Sequence, residues 1–110
     1  METLRNSREF KKVIDGGGKS VLETITIFIL PNQVGKTRIG ISVSRKLGGS
    51  VKRNKVKRRI REAARKTAGE IPESIDIVII ARKAAQKASY LDIEKDLTQA
   101  LRRCATTRGK

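Results

Sequence analysis

The 110-residue sequence has no histidine, one cysteine, two prolines and three aromatic residues. Without histidine, the chain has no His-based general acid or base, no Ser-His-Asp or Cys-His nucleophile and no His-ligated metal. The single Cys104 excludes an internal disulfide and a thiolate metal cluster, which fits a reducing compartment. The sequence also lacks the apolar start of a signal peptide and any apolar run near the roughly 18 residues of a membrane span. These absences predict a soluble, cytoplasmic protein with no membrane partner.

Acidic residues are also scarce, with 11 Asp and Glu against 26 Lys and Arg and a formal net charge of +15. The few acids are scattered, so they predict neither a metal-binding carboxylate pair nor a general base. Gly18-Lys19-Ser20 and Gly35-Lys36-Thr37 resemble the end of a phosphate loop, but the glycine required five residues earlier is missing in both. We therefore expect no catalytic residues and no bound metal, in one domain over residues 1–110 that binds a polyanion.

Hydrophobic periodicity and turn signals predict helices packed on a small sheet. Asn6 and Glu9 have the spacing of a helix start, and Gly16-Gly17-Gly18 ends this first helix. The predicted order is α-β-β-α-β-α, with the first strand region open to division into two strands. The later elements are strands over Val21–Leu30, Arg38–Ser44 and Ile75–Ala81, a long helix from Ser50 to about Ala68, and a last helix capped by Ser89 and Asp92.

The long helix and the residues just before it hold the densest positive charge in the chain. Residues 45–66 contain eleven of the 26 basic residues, opposed by Glu62 alone. A helical projection places Val56, Ile60, Ala63, Ala64 and Thr67 in one narrow apolar stripe and the basic residues on the remaining arc. A solvated face usually mixes both signs, and an interfacial membrane helix needs large apolar residues, so a phosphate backbone fits this arc best.

Structured or single-stranded RNA fits this context better than duplex DNA. The basic helix lies between strands, with no helix-turn-helix or zipper pattern around it. Phe28 alternates with the isoleucines of its strand, so it lies on the opposite face of the sheet. It either packs under the first helix with Phe10 or forms a platform on which an unpaired base stacks.

Two segments carry a resemblance to a known family. Gly40-Ile41-Ser42-Val43-Ser44-Arg45-Lys46-Leu47-Gly48, followed by a helix opening with Arg53-Asn54-Lys55, resembles the protein component of bacterial ribonuclease P. Glu9-Phe10-Lys11 and the strand Asp76–Arg82 extend the similarity over most of the chain. The resemblance implies an α+β fold with one mostly antiparallel four-stranded sheet and three helices, in the order α-β-β-β-α-β-α. It also implies a left-handed βαβ crossover around the basic helix.

The resemblance further implies a subunit of the ribonucleoprotein endonuclease that removes the 5′ leader of precursor tRNA. Cleavage would belong to the RNA subunit and to Mg²⁺ held mainly by that RNA. The implied partners are ribonuclease P RNA and precursor tRNA, with no obligatory protein partner. The residues implied to bind RNA are Arg45, Lys46, Lys52, Arg53, Asn54, Lys55, Lys57, Arg58, Arg61 and Arg65, and those implied to form the leader cleft are Phe10, Lys11, Ile14 and Phe28. The alternative function is a non-catalytic RNA-binding protein of ribosomal or assembly type.

Overall fold

The computed structural model describes residues 2–4, 6–68 and 74–108, apart from the side chains of Glu2, Ala68 and residues 104–108. Three α-helices, α1 (Ser7–Gly16), α2 (Ser50–Ala68) and α3 (Tyr90–Arg108), pack on one sheet. The strands are β1 (Glu2–Thr3), β2 (Gly18–Val21), β3 (Ile25–Pro31), β4 (Arg38–Ser42) and β5 (Ile75–Ala81). Two 3₁₀ turns, Arg45–Leu47 and Lys83–Gln86, follow β4 and β5.

The sheet has the strand order β1-β4-β5-β3-β2. Among the four predicted strands, β2–β3 and β3–β5 are antiparallel and β4–β5 is parallel. The parallel pairing makes β4-α2-β5 a crossover unit, which confirms the predicted α+β class. The two-residue β1 pairs in parallel with β4, so the sheet as a whole is mixed. A two-residue strand has no periodicity that a sequence could show.

The two faces of the sheet bury different sets of side chains because successive strand residues point to opposite faces. Isoleucines at odd positions, such as Ile27 in β3 and Ile77 in β5, pack against α2 and α3 in the main core. The opposite face packs against α1 in a smaller core formed by Leu4, Val13, Phe28 and Val78. The basic helix and the first helix therefore lie on opposite sides of one sheet.

Local hydrogen bonds explain where the helices begin. The Glu9 amide donates to Asn6 Oδ1 over 2.8 Å at the start of α1. At α3, the Asp92 amide donates to Ser89 Oγ over 3.2 Å and the Ser89 amide donates to Asp92 Oδ2 over 3.1 Å. Both starts were predicted from residue spacing, and the structure confirms them.

Two strands lie where one was predicted over Val21–Leu30: β2 begins three residues earlier, at Gly18, and β3 covers Ile25–Pro31. The Leu22 amide donates to the Ile25 carbonyl over 2.8 Å and closes a tight turn between them. Asp96 of α3 holds this turn, because its Oδ2 accepts from the Thr24 amide over 3.0 Å and from Thr24 Oγ1 over 2.6 Å.

Among the described helices, none is both long and apolar enough to cross a lipid bilayer.

Candidate nucleic-acid interface

The apolar stripe predicted for α2 is buried against the sheet. Val56, Ile60, Ala63, Ala64 and Thr67 are each at most 6 % exposed. Their burial fixes the rotation of the helix, so the opposite arc faces solvent.

That outer arc and the 3₁₀ turn before it form one surface, here named the basic ridge. It consists of the ten residues implied to bind RNA: Arg45, Lys46, Lys52, Arg53, Asn54, Lys55, Lys57, Arg58, Arg61 and Arg65. All are exposed except Arg53, which is half-buried. The structure thus leaves nine of the ten predicted residues exposed on α2 and the turn before it.

Within the described residues, no member of the basic ridge forms an ion pair with a carboxylate of this chain. Lys66, which is on α2 but outside the ridge, does form an ion pair: its Nζ lies 3.5 Å from Glu94 Oε1 of α3. Like charges three or four residues apart on a helix repel one another by a few tenths of a kcal/mol per pair. The ridge is therefore a concentrated positive potential suited to a polyanion.

Two arginines of α2 are directed partly inward. Arg59, which is outside the ridge, donates from Nη1 to the Ala88 carbonyl over 3.3 Å and so ties α2 to the segment before α3. Arg53 Nε is buried and has no hydrogen-bond partner among the described residues. In the helical repeat, Arg53 falls between Ile60 and Ala64, and Arg59 falls beside Ala63, so both border the apolar stripe rather than the centre of the outer arc.

The 3₁₀ turn holds Arg45 and Lys46 at the start of the ridge. Ser44 Oγ accepts from the Lys46 amide over 3.2 Å, and Leu47 is buried beneath the turn. Gln86 Nε2 donates to the Leu47 carbonyl over 2.7 Å, which anchors the turn to the segment after β5. These contacts continue the positive surface of α2 towards the end of β4.

The face of the sheet on the α1 side is only partly covered. Glu9 of α1 contacts Arg38 at the start of β4, and the Phe10 ring lies against Gly40 in the next position on that face. The helical repeat then places Ser7, Lys11 and Ile14 on the side of α1 that faces the far end of β4. A row of four residues remains open there, because β-pairing aligns Ser42, Ile80, Thr26 and Val21 across four strands.

We name this space the α1 cleft. Its wall is Phe10, Lys11 and Ile14, and its floor is the row from Ser42 to Val21. Ile80 and Thr26 are half-buried in the middle of the floor, whereas Ser42 and Val21 at its two ends are exposed. The sequence prediction named the wall and missed the floor, although the alternation within β3, β4 and β5 already placed these residues on the α1 side.

Phe28 is buried beneath α1 and does not form an open platform. It is 8 % exposed and packs in the smaller core with Val13 and Val78. Lys19 Nζ lies 5.9 Å from the centre of the Phe28 ring, within the range of a cation–π contact. Of the two alternatives open from the sequence, the structure therefore shows packing under the first helix.

A charged network ties α1 to the sheet on the side away from the cleft. Arg38 donates from Nε to Asp76 Oδ1 over 2.8 Å and from Nη2 to Asp76 Oδ2 over 2.7 Å. Its Nη1 donates to Glu9 Oε2 of α1 over 3.1 Å. Burial raises the pKa of Asp76, but hydrogen bonds from Arg38 and Asn32 outweigh burial and bring this pKa below its usual value. Arg38 thus joins the helix that forms the cleft wall to the strand that forms its floor.

The chain was compared with known protein families and solved structures. The Ribonuclease P family model matches residues 1–105. The ribonuclease P protein component of Streptococcus pneumoniae serotype 4 (strain ATCC BAA-334 / TIGR4) is 35% identical over 99 residues, which cover 90% of this chain and 80% of that protein.

Two solved structures share the fold. The Staphylococcus aureus RNase P protein has a TM-score of 0.82 and 30% identity, covering 96% of this chain and 95% of its own. The Thermotoga maritima RNase P protein has a TM-score of 0.83 and 33% identity, covering 94% of this chain and 97% of its own.

Proposed function

Because this chain belongs to the ribonuclease P protein family, we propose that it is the protein subunit of a ribonuclease P that removes the 5′ leader of precursor tRNA. The basic ridge binds the catalytic RNA, and the α1 cleft holds the single-stranded leader. The observation that carries the proposal is that these two surfaces, on opposite faces of the sheet, meet where β4 ends. Ser42 ends the cleft floor, and Arg45 begins the ridge three residues later.

The ridge suits a folded RNA because it offers many cations along one rigid helix. Each arginine or lysine that neutralises a phosphate releases condensed counterions, which makes binding strong at low salt and weak at high salt. Asn54 lies among these cations and offers both a donor and an acceptor to phosphate, sugar or a base edge. The exposed arc of α2 holds no acid except Glu62 to oppose the approach of RNA.

The α1 cleft suits a single strand because it combines an apolar centre with cations at its borders. Phe10, Ile14 and Ile80 offer apolar surface to unpaired bases, and Lys11 and Lys19 lie where phosphates of that strand would pass. Phe28 supports this surface from below, since it fills the space between α1 and the sheet. The cleft therefore selects a strand by width and charge, with few groups able to read a base sequence.

Cleavage is assigned to the RNA subunit and to Mg²⁺ held mainly by that RNA. Within the described residues, no group of three or more acidic, histidine or cysteine side chains is placed to hold a metal ion. The part of the protein is to bind and orient: the ridge fixes it on the RNA, and the cleft directs the leader away from the scissile bond. Orientation of this kind lowers the entropic part of the reaction barrier.

The test is reconstitution with a bacterial ribonuclease P RNA at low Mg²⁺. We expect the protein to increase kcat/KM for precursor tRNA strongly over the RNA alone, and to bind precursor tRNA more tightly than leaderless tRNA. A protein that binds RNA but gives no stimulation would favour the ribosomal or assembly-type alternative. Cleavage by the protein freed of RNA would contradict the assignment of catalysis to the RNA.

A further inference from the structure

A second groove lies on the other face of the sheet, between α3 and the edge strand β2. Residues of β2 that point towards α3 are Gly18 and Ser20, whose side chains are too small to fill the space beside the helix. The resulting groove of about 990 Å³, here named the α3 groove, is lined on the helix by Leu91, Lys95, Thr98, Arg102 and Arg103.

The α3 groove is positively charged. Lys95, Arg102 and Arg103 line it, against Glu94 as the one acid among its lining residues. The Glu94 carboxylate is directed to α2, where its Oε1 lies 3.5 Å from Lys66 Nζ. The charge that faces the groove therefore favours an anionic occupant and repels a second copy of this chain, whose net charge is +15.

The uncharged residues of the groove fit a single-stranded nucleic acid. Leu91 is 71 % exposed and offers apolar contact to a base. Ser20 and Thr98 supply hydroxyl groups that can hydrogen-bond to ribose or phosphate. Apolar surface, hydroxyls and cations in one groove match the requirements of an unpaired RNA strand.

The α3 groove also continues the path of the α1 cleft. The cleft floor runs from Ser42, beside the basic ridge, to Val21 at the outer edge of β2. No described strand lies beyond β2, so Val21 stands at the open edge of the sheet. Ser20, which precedes Val21 in β2, points to the other face of the sheet and into the α3 groove. The two spaces thus meet around the edge of one strand.

We propose that the α3 groove binds the distal part of a long 5′ leader, after that leader has crossed the α1 cleft and passed over β2. This inference rests on the proposed function, and it adds a second leader site with its own residues. Nucleotides close to the cleavage site occupy the cleft, and nucleotides farther from it reach Lys95 and Leu91. A leader that ends within the cleft makes no contact with the groove.

The test uses the reconstituted holoenzyme and two precursor tRNAs that differ only in leader length. The double variant Lys95→Glu/Thr98→Glu places two negative charges in the groove. We expect about a tenfold loss of affinity for the long-leader substrate and less than about a twofold change for the short-leader substrate. The matched control, Gln33→Glu/Lys36→Glu, makes the same change of charge in the exposed turn after β3 and should leave the ratio of the two affinities unchanged.

Equal effects of the double variant on both substrates, or no effect on either, would overturn the inference while leaving the proposed function intact. A wild-type holoenzyme that binds neither substrate more tightly than the RNA alone would overturn both. A photo-crosslinking residue at position 91 provides a readout independent of affinity. Crosslinks to distal leader nucleotides are expected, and crosslinks confined to the catalytic RNA or to a second protein copy would refute the leader path.

Discussion

At the scale of single residues, Arg38 links more of the molecule than any sequence pattern indicates. Its guanidinium bonds a carboxylate on β5 with two nitrogens and a carboxylate on α1 with the third. Asn32 Nδ2 donates a further hydrogen bond to Asp76 Oδ1 over 2.7 Å, so protein donors satisfy the buried carboxylate in place of water. Such a network holds its members firmly, but removing one partner leaves a charge without compensation.

Replacing Asp76 with Asn tests this network. We expect a loss of about 2–4 kcal/mol in the free energy of unfolding at neutral pH, because Arg38 then loses the more buried of its two charged partners. The lowered pKa of Asp76 also stabilises the folded protein above its unfolded pKa of about 4, and this contribution is lost as the pH falls through the folded pKa. Denaturant unfolding at a series of pH values below neutral should show that the free energy of unfolding falls less steeply with decreasing pH in the variant than in the wild-type protein. The exposed Asp15→Asn should leave the wild-type profile unchanged.

Gly40 is the second residue whose role depends on a close contact. A Cβ at this position would lie 2.5 Å from Phe10 Cζ, so Gly40→Ala must displace the ring that forms part of the cleft wall. We expect a loss of about 1–3 kcal/mol in unfolding free energy. Gly49→Ala is the control, since an added Cβ there meets nothing within 4 Å. If the contact is the cause, Gly40→Ala should cost much less in a Phe10→Leu background.

Some residue-scale facts could not be predicted from the sequence. Phe28 was open to two roles because alternation gives the face of a strand but not what covers that face. The bonds from Arg38 to Glu9 and to Asp76 join positions 29 and 38 residues apart, respectively, and depend on strand register. Register follows from tertiary pairing, which local spacing does not contain.

At the scale of elements, α2 is the part that the sequence predicted best. Its apolar stripe and exposed arc follow from the 3.6-residue repeat, and its limits follow from the glycines that flank it in the sequence; the stripe, the arc and the limits are confirmed. The α1 and α3 starts were equally clear, because each has a capping side chain at the expected spacing. The short β1 and the open floor of the cleft were missed, since both depend on how strands lie beside one another.

The exposed arc of α2 leads to a prediction about RNA affinity. Arg58→Ala and Arg61→Ala each remove one exposed cation of the basic ridge. Each should reduce the slope of log K against log [salt] for the catalytic RNA by up to about 0.7–0.9, because one fewer counterion is released on binding. Binding measured over a range of salt concentrations gives the slope. Lys36→Ala, in the exposed turn between β3 and β4, is the control, and equal slopes in all four proteins would exclude phosphate contacts by Arg58 and Arg61.

At the scale of the whole molecule, one sheet separates the basic ridge from the α1 cleft. The crossover from β4 to β5 carries α2 over one face, while α1 crosses the other. The order of the strands within the sheet was not predicted from periodicity or from the family resemblance, which implied only the order of the elements along the chain; the sheet order β1-β4-β5-β3-β2 comes from the structure, whose fold the solved relatives share. The total charge, by contrast, follows from the sequence alone, and it affects the stability of the folded protein.

A net charge of +15 on a chain of 110 residues destabilises the compact state by self-repulsion. Anions that bind the folded ridge should offset this repulsion in proportion to their occupancy. We therefore expect a higher Tm in sulfate than in chloride at equal ionic strength, measured by circular dichroism. Arg58→Ala/Arg61→Ala should reduce the difference between the two salts. Coincident melting curves for the wild-type protein would show that general screening alone accounts for the effect of salt.

The unequal size of the two cores has a mechanical consequence. The face under α2 and α3 is fixed by most of the buried isoleucines, whereas α1 is held by Leu4, Val13, Phe28, Val78 and the contact of Glu9 with Arg38. Local opening of a segment costs less free energy when fewer buried groups hold it, so α1 can tilt while the sheet stays intact. One side of the α1 cleft is therefore compliant and the other rigid. A compliant wall lets a single cleft accommodate bases of different size, which suits the proposed binding of many different leaders.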